Sequence, residues 1–321
     1  MKRHHQILAV VLVVQVILSV VVFWPRPAAT AAEEPLFPDL NTEDVVALTV
    51  VNAAGDTVIL EKVDGEWVLP EADDYPVLGE RVTSLLEKIT GLTTGRLVTR
   101  TEASHRRLQV ASDEYQRRVD FELAAGTCPT LSLASSPRFG VTHVRVAGQN
   151  ETYLSDEISA MDAGAMVSAW IDTAYVNVPQ AEAVTVTLEN EQGTFVFTRD
   201  EEGSWTLEGV GADEALDQAA VSAVVRQATR VTMVTPLGTE VMPEYGLDDP
   251  QAVVTIETTS GPVDLTVGAS GEEENTYVVY SSGADYYVLA SQSAVGSLVD
   301  STRDDFLTEA PAPTLEGTDG E

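Results

Sequence analysis

Two stretches of this chain carry the same landmarks in the same order. VVALTVVNAAGDTVILEKVDGEWVL ends at Leu69, and AVTVTLENEQGTFVFTRDEEGSWTL ends at Leu207. At a constant offset Gly55 answers Gly193, Gly65 answers Gly203, Trp67 answers Trp205 and Leu69 answers Leu207. Both stretches alternate apolar and polar residues, the period of half-buried strands. Each has a glycine turn after its first run and an acidic glycine turn before its tryptophan, so each copy opens as a three-stranded antiparallel meander. Trp67 and Trp205 are expected over the core; a sugar-stacking surface is the functional alternative.

The copies continue in parallel. Tyr75 to Thr90 and Asp213 to Thr229 place apolar residues at three- and four-residue spacing, which predicts helices. Val77, Val82, Leu85, Leu86 and Ile89 would share one face of the first. Val221, Val224, Val225 and Ala228 would share a face of the second. RVDFELAAGTCPTLSLASS then answers AVVTIETTSGPVDLTVGAS, and THVRVAGQNETYLS answers TYVVYSSGADYYVLA, with Tyr153 falling on Tyr287. Short helices are expected over Ser155–Ile171 and Ser291–Ser301. The fold class that follows is α+β: two tandem homologous units with antiparallel β-sheets and packed helices, after one N-terminal transmembrane helix. Residues 40–177 form the first unit and 178–307 the second, joined at NVPQAEA.

The run Ile7 to Trp24 is uncharged, with only Gln15 and Ser19 as polar interruptions. A membrane-spanning helix needs about 20 apolar residues. Trp24 suits an interface, Pro25 ends the helix, and Lys2 and Arg3 orient the N-terminus to the cytoplasm. Residues 1–24 are thus expected to be a cytoplasmic stub and single-pass anchor, with the bulk of the chain outside. The rival reading is a cleaved signal peptide, with AATAA at Ala28–Ala32 as its cleavage site; the apolar run exceeds the roughly 7–15 residues usual there. Residues 25–39 read as a Pro/Ala-rich tether, and 308–321 as a disordered acidic tail.

The chain has 18 basic and 51 acidic residues, a net charge of −33. Such a surface repels nucleic acid and anionic headgroups and favours cationic partners. Cys128 is the single cysteine, so an intrachain disulfide or multi-cysteine metal site is excluded. After the anchor only His105 and His143 remain for acid–base work. There is no GxSxG elbow, and VGASGEEEN lacks the lysine and spacing of a P-loop. The pairs Asp73–Asp74, Asp248–Asp249 and Asp304–Asp305 could contribute to a calcium site but miss EF-hand spacing. Glu272–Asn275 reads as a charged hairpin tip, and Asn150 opens a formal glycosylation sequon. Paired carboxylates for glycoside hydrolysis are invisible at this level. No catalytic, cofactor-binding or metal-ligating residue is assigned, and no cofactor.

The second copy carries EYGLDDPQAVVTIETTSGPVDLTVG from Glu244 to Gly268, then Thr276–Tyr277 and YYVL at Tyr286–Leu289. Together with the membrane run and the repeat, these residues resemble the bacterial family named domain of unknown function 4340. Its units read approximately Trp-x-Leu-x-x-Pro, then Tyr-Gly-Leu-Asp-x-Pro, then a hairpin ending in glycine. The first copy departs from it, with HRRLQVASD at the Tyr-Gly-Leu-Asp-x-Pro position, and the second lacks the proline after GSWTL. The resemblance implies a place beside an ABC transporter of the gliding-motility type, and implies no reaction. Read physically, YGLDDP is a terminator: Gly246 takes a positive φ, Asp248 makes an Asx turn, Leu247 plugs the core, and Pro250 launches a strand.

Three functions compete. The first is a non-enzymatic, membrane-anchored extracytoplasmic interaction module, companion to an ABC-type membrane complex. The second is an envelope module gripping glycan or polymer through Tyr280, Tyr286 and Tyr287. The third is a carboxylate hydrolase, which needs two acids across a cleft.

Overall fold

The first alternating run folds into three antiparallel strands: β1 (Val45–Asn52), β2 (Thr57–Val63) and β3 (Glu66–Leu69). Asp64 and Gly65 both take positive φ, 51° and 94°, which is the two-residue turn whose twist suits paired strands. The computed structural model that shows this describes residues 33–126, 129–134, 140–211 and 213–309, together with Leu12 and Gln15. Most of the anchor run, most of the tether, Cys128 and residues 310–321 lie outside the described residues.

The first unit continues with β4 (Tyr75–Pro76), helix α1 (Gly79–Thr90), β5 (Leu97–Thr99), helix α2 (Glu102–Arg107), β6 (Arg117–Leu123), β7 (Thr130–Leu133), β8 (Thr142–Val146) and β9 (Thr152–Ser155). Next come β10 (Ala174–Asn177), β11 (Ala183–Asn190), β12 (Gly193–Arg199), β13 (Trp205–Leu207) and β14 (Glu214–Leu216). Helix α3 (Gln218–Thr229), β15 (Arg230–Gly238), β16 (Ala252–Thr258), β17 (Gly261–Ser270), β18 (Thr276–Ser281), β19 (Tyr287–Ser291), helix α4 (Gln292–Asp300) and β20 (Leu307–Glu309) complete the second unit.

Two nine-stranded antiparallel sheets result, ordered β4-β3-β2-β1-β6-β7-β8-β9-β5 and β10-β15-β19-β18-β17-β16-β11-β12-β13. Reversed, the second order repeats the first strand for strand from β3 to β5. The two sheets therefore share one strand order. Trp67 and Trp205 occupy matching strands and are both buried. One register differs from expectation. Val144 pairs with Tyr153 and Val278 with Leu289, so Tyr153 answers Leu289. The β18–β19 hairpin holds two more residues between these paired positions than the β8–β9 hairpin, which displaces Tyr287.

The α+β class is corrected to mainly β. Strand takes up 42% of the described residues against 21% helix, in two large sheets. Among the described residues no helix is long and apolar enough to cross a membrane. The expected helices are shorter because their first residues pair as strands. Tyr75 precedes proline, which forces it extended, and it joins β3 through β4. Glu214–Leu216 pairs with β20. Over Ser155–Ile171 the only helix is one turn at Val167–Ala169. There Ser159 donates its amide (2.7 Å) and hydroxyl (2.8 Å) to Asp162, so side chains compete with helical bonding. Of the positions predicted for the first helix, Val82, Leu85, Leu86 and Ile89 are buried on α1, whereas Val77 precedes the helix, half-buried, its amide donating to the Trp67 carbonyl at 2.9 Å. The four predicted for the second are buried on α3, and α1 and α3 share one hydrophobic cluster that spans both units.

Each unit closes with an aromatic plug. The Leu78 amide, at the start of α1, donates to the Trp170 carbonyl (2.8 Å), and the Asp217 amide, at the start of α3, donates to the Phe306 carbonyl (2.8 Å). Both rings are 1% exposed. Phe306 meets Phe195 and Phe197 edge-on, at 5.4 and 5.0 Å. Beside it Arg303 grips Glu214 with two bonds of 2.7 and 2.6 Å. Those bonds, with the Gly211 amide, pull the Glu214 carboxyl down from 4.5 to about 2. A folded value below the unfolded one gives stability that is present above the unfolded value and lost as pH falls through the folded value. Acid melts should therefore show a small loss between about pH 4.5 and about pH 2, small because the pair is exposed. Glu214→Gln should remove that component; an unchanged acid profile would refute the assignment.

Candidate functional site

The candidate site begins where β3 ends. After the turn Pro70–Ala72, Asp73 and Asp74 both adopt left-handed backbone, φ 52° and 59°, a region aspartate enters more readily than bulkier residues. This double reversal returns the chain along β3 and projects Asp73 toward the second unit. Its carboxylate accepts from the Thr239 amide at 2.7 Å and the Thr239 hydroxyl at 2.9 Å. Those two bonds hold the carboxyl below the usual carboxylate range. Gly238, with φ 107°, lets the chains approach: a Cβ there would stand 2.7 Å from Asp73 Oδ2.

Around this contact six of the chain's nine tyrosines gather, all partly exposed. Tyr75 meets Tyr286 edge-on at 4.8 Å. The Tyr286 hydroxyl donates to the Asp73 carbonyl at 3.3 Å. Tyr280 stacks on Tyr287 at 4.8 Å and 29°, and Tyr245 tilts against Tyr287 at 5.5 Å. Tyr175, on β10, donates to the Tyr286 carbonyl at 2.7 Å and accepts from the Ser281 amide at 3.0 Å. Burial raises the phenol pKa of Tyr175, Tyr75, Tyr245 and Tyr286, and nearby carboxylates raise the last three further. These hydroxyls stay neutral at physiological pH. The junction offers aromatic faces, neutral hydroxyls and negative charge, with no nucleophile–base pair.

Asp73→Ala should loosen the junction without unfolding either sheet, since the carboxylate is exposed. Limited proteolysis between the units should accelerate while the melting temperature shifts little. Unaltered proteolysis would show that the tyrosines alone hold the units. The same loosening should appear in wild type as acid protonates Asp73: its contribution is present above the ordinary carboxylate value and is lost as pH falls through the lowered one.

Tyr280, Tyr286 and Tyr287, singled out from the sequence, are brought together, and Asp73 joins them. The other candidates are dispersed. Asp305 is occupied in a cap, accepting from the Thr302 amide and hydroxyl at 2.8 Å each. Asp248 and Asp249 are exposed, and the expected Asx bond of Asp248 is not among the hydrogen bonds of the described residues. Instead Gln251 secures the end of that motif, its side chain donating to the Gly268 carbonyl at 3.0 Å. Gly246 does take positive φ, 63°. Glu272–Asn275 is an exposed tip between β17 and β18. His105 is buried with Nε2 2.9 Å from the Asn150 carbonyl, and His143 is buried on β8. Among the described residues no group of three or more His, Cys, Asp or Glu could hold a metal ion.

Sequence reading missed Tyr75, Tyr175 and Tyr245 as members of one cluster. A local signal existed, an acidic residue directly before tyrosine in Asp74–Tyr75, Glu244–Tyr245 and Asp285–Tyr286. Glu114–Tyr115 shares it and is not in the cluster. A separate cleft of about 460 Å3 lies between the units, lined by Asp56, Val58, Met166, Val167, Thr235 and Glu273 among others. Asp56 there is engaged by the Asn52 side chain at 2.6 Å, and no histidine lines the cleft. A groove of about 560 Å3 between α3 and α4 is lined largely by small residues, including Ala220, Ala223 and Gly296.

The sequence profile of the family described as Domain of unknown function (DUF4340) matches residues 67–234 and again residues 205–319. Its two matches begin at Trp67 and Trp205, the landmarks of the repeat. The chain belongs to this family. No curated protein and no solved structure matches it. Within this DUF4340 chain both Trp landmarks are core residues, 8% and 5% exposed, which argues against the sugar-stacking alternative for them. Partly exposed rings stand instead at the junction, where six tyrosines gather.

Proposed function

We propose that this DUF4340 chain is a non-enzymatic interaction module, held at a bacterial membrane by the run Ile7–Trp24 with its units outside the cytoplasm. We further propose that it accompanies an ABC-type transport complex. The tyrosine–carboxylate junction is the observation that carries the interaction reading. It joins two units into one block and leaves ring faces and acids at the surface, an arrangement suited to contact rather than turnover. The apolar run flanked by Lys2 and Arg3 supports the anchor, and the family resemblance supports the transport setting. A photo-crosslinker at position 285, in native membranes, tests this. The expected adduct is with a permease subunit of an ABC complex. Recovery of the chain in the soluble fraction, with no membrane adduct, would overturn it.

The stacked pair Tyr280–Tyr287 favours a second reading, an envelope glycan module, because stacked rings offer a flat apolar face to a sugar. Retention on insoluble cell-wall glycan, lost in Tyr287→Ala, would support it; free passage of wild type through that matrix would exclude it.

A further inference from the structure

The segments that build the junction, residues 70–77, 172–177, 239–249 and 280–287, contain no lysine, arginine or histidine. They do contain Asp73, Asp74, Asp172, Glu244 and Asp285. The charged groups acting on the hydroxyls of Tyr75, Tyr245 and Tyr286 are correspondingly carboxylates. Two apolar side chains in the same loop as Tyr245 stand in solvent, Val241 at 61% exposure and Met242 at 43%. Isolated exposed apolar residues need no explanation, but these two precede Glu244 and Tyr245 in one loop, the Met242 carbonyl accepting from the Tyr245 amide at 3.0 Å.

From this geometry we infer that the junction is a docking surface for a lysine- or arginine-bearing segment of a partner protein. The charge complementarity is direct: the patch is acidic, and the whole chain carries −33. A cation over a tyrosine face is attracted by the ring quadrupole. Lysine and arginine also carry long aliphatic stems, which lie along apolar surface while the charged head reaches for an acid. Val241, Met242 and the rings receive the stems; Asp73, Glu244 and Asp285 stand where the heads would be. A neutral glycan would use the rings but leave the acids without a role. Nucleic acid and anionic lipid are repelled. The inference deepens the interaction-module reading and rests on it.

The test uses the full chain in detergent micelles and a fluorescent decapeptide alternating arginine and lysine with serine and leucine. Bulk charge alone would draw any basic peptide, so the deciding variant leaves charge unchanged. Tyr280→Leu with Tyr287→Leu should weaken binding about tenfold or more, with the fold retained by circular dichroism. A second variant, Glu244→Gln with Asp285→Asn, lies on the surface and should weaken it similarly. A peptide with citrulline and acetyl-lysine in place of the cations should not bind. If the tyrosine variant binds as wild type does, the attraction is spread over the acidic surface and the proposal falls. Should the tyrosine variant misfold, the carboxylate variant decides: unchanged affinity there overturns the proposal, and a tenfold loss upholds it. Binding of chitohexaose, abolished by the tyrosine changes, with no peptide binding, would also overturn it in favour of a glycan. The crosslinking experiment separates the two readings: a permease adduct without peptide binding removes this site and leaves the module reading standing.

Discussion

Trp170→Ala is expected to be the most damaging single substitution in the first unit. The indole is 1% exposed, and its Nε1 donates to the Gly164 carbonyl at 2.8 Å. Truncation loses the ring's transfer and packing free energy and leaves a cavity, about 3–5 kcal/mol for a buried aromatic. It also strands the Gly164 carbonyl, which adds about 1–3 kcal/mol if water cannot reach it. A cavity cannot close easily, because the Trp170 backbone carbonyl is fixed by the Leu78 amide at the start of α1. That sum rivals the whole stability of an ordinary domain, about 5–15 kcal/mol. Urea unfolding followed by circular dichroism should show the first unit melting early while the second persists, giving two transitions in place of one. A variant within about 1 kcal/mol of wild type would show that the plug is dispensable and that the sheet alone specifies the unit.

Gly268→Ala should have the second large effect, by a different mechanism. A Cβ at this position would stand 2.1 Å from the Tyr245 backbone carbonyl and 3.0 Å from Leu247 Cδ2. The first obstacle is backbone and cannot swing aside. Overpacking typically costs about 1–3 kcal/mol, and a clash this close lies at or above the upper end. Either β17 distorts or the loop carrying Tyr245 lifts. Lifting is the easier route, since Pro243–Tyr245 is a single helical turn with no buried residue. Tyr245 would then leave Tyr287, and the junction would lose a ring while the sheet survives. Protease cleavage within residues 241–250 should rise sharply, whereas Asp248→Ala, whose side chain is exposed, should change little. Equal behaviour of the two variants would contradict the close packing of this glycine.

Much of this fold is legible from residue order because its elements obey local rules. The alternating runs became β1, β2, β11 and β12, and the apolar faces of α1 and α3 fall where the spacing places them. The misses have physical causes. β15 contains Pro236, which argues against a strand buried between neighbours; the sheet accommodates it between register shifts at Met233/Thr235 and Pro236/Gly238. β10 and β20 are short and have no pattern of their own; each exists because a partner edge receives it. The junction was only partly visible. Tyr280, Tyr286 and Tyr287 are close in sequence, but Tyr75 and Tyr175 reach them through tertiary contacts, and no periodicity records that.

The strand β10 has a consequence for growth by duplication. It leaves the first unit after Trp170 and lies along β15 as the outermost strand of the second sheet, Val176 against Val231. The matching edge of the first sheet, β5, carries no such strand among the described residues, and Leu97 and Val98 are each 40% exposed. Glu34–Leu36 nevertheless pairs beside it, with the Leu36 amide donating to the Leu92 carbonyl at 2.7 Å. Each unit is therefore finished by the stretch of chain that leads into it. Parts of this kind join head to tail, each bringing its own closing strand, as in solenoids where every repeat contacts only its neighbours. Gene fusion could extend such an array copy by copy without inventing a new interface.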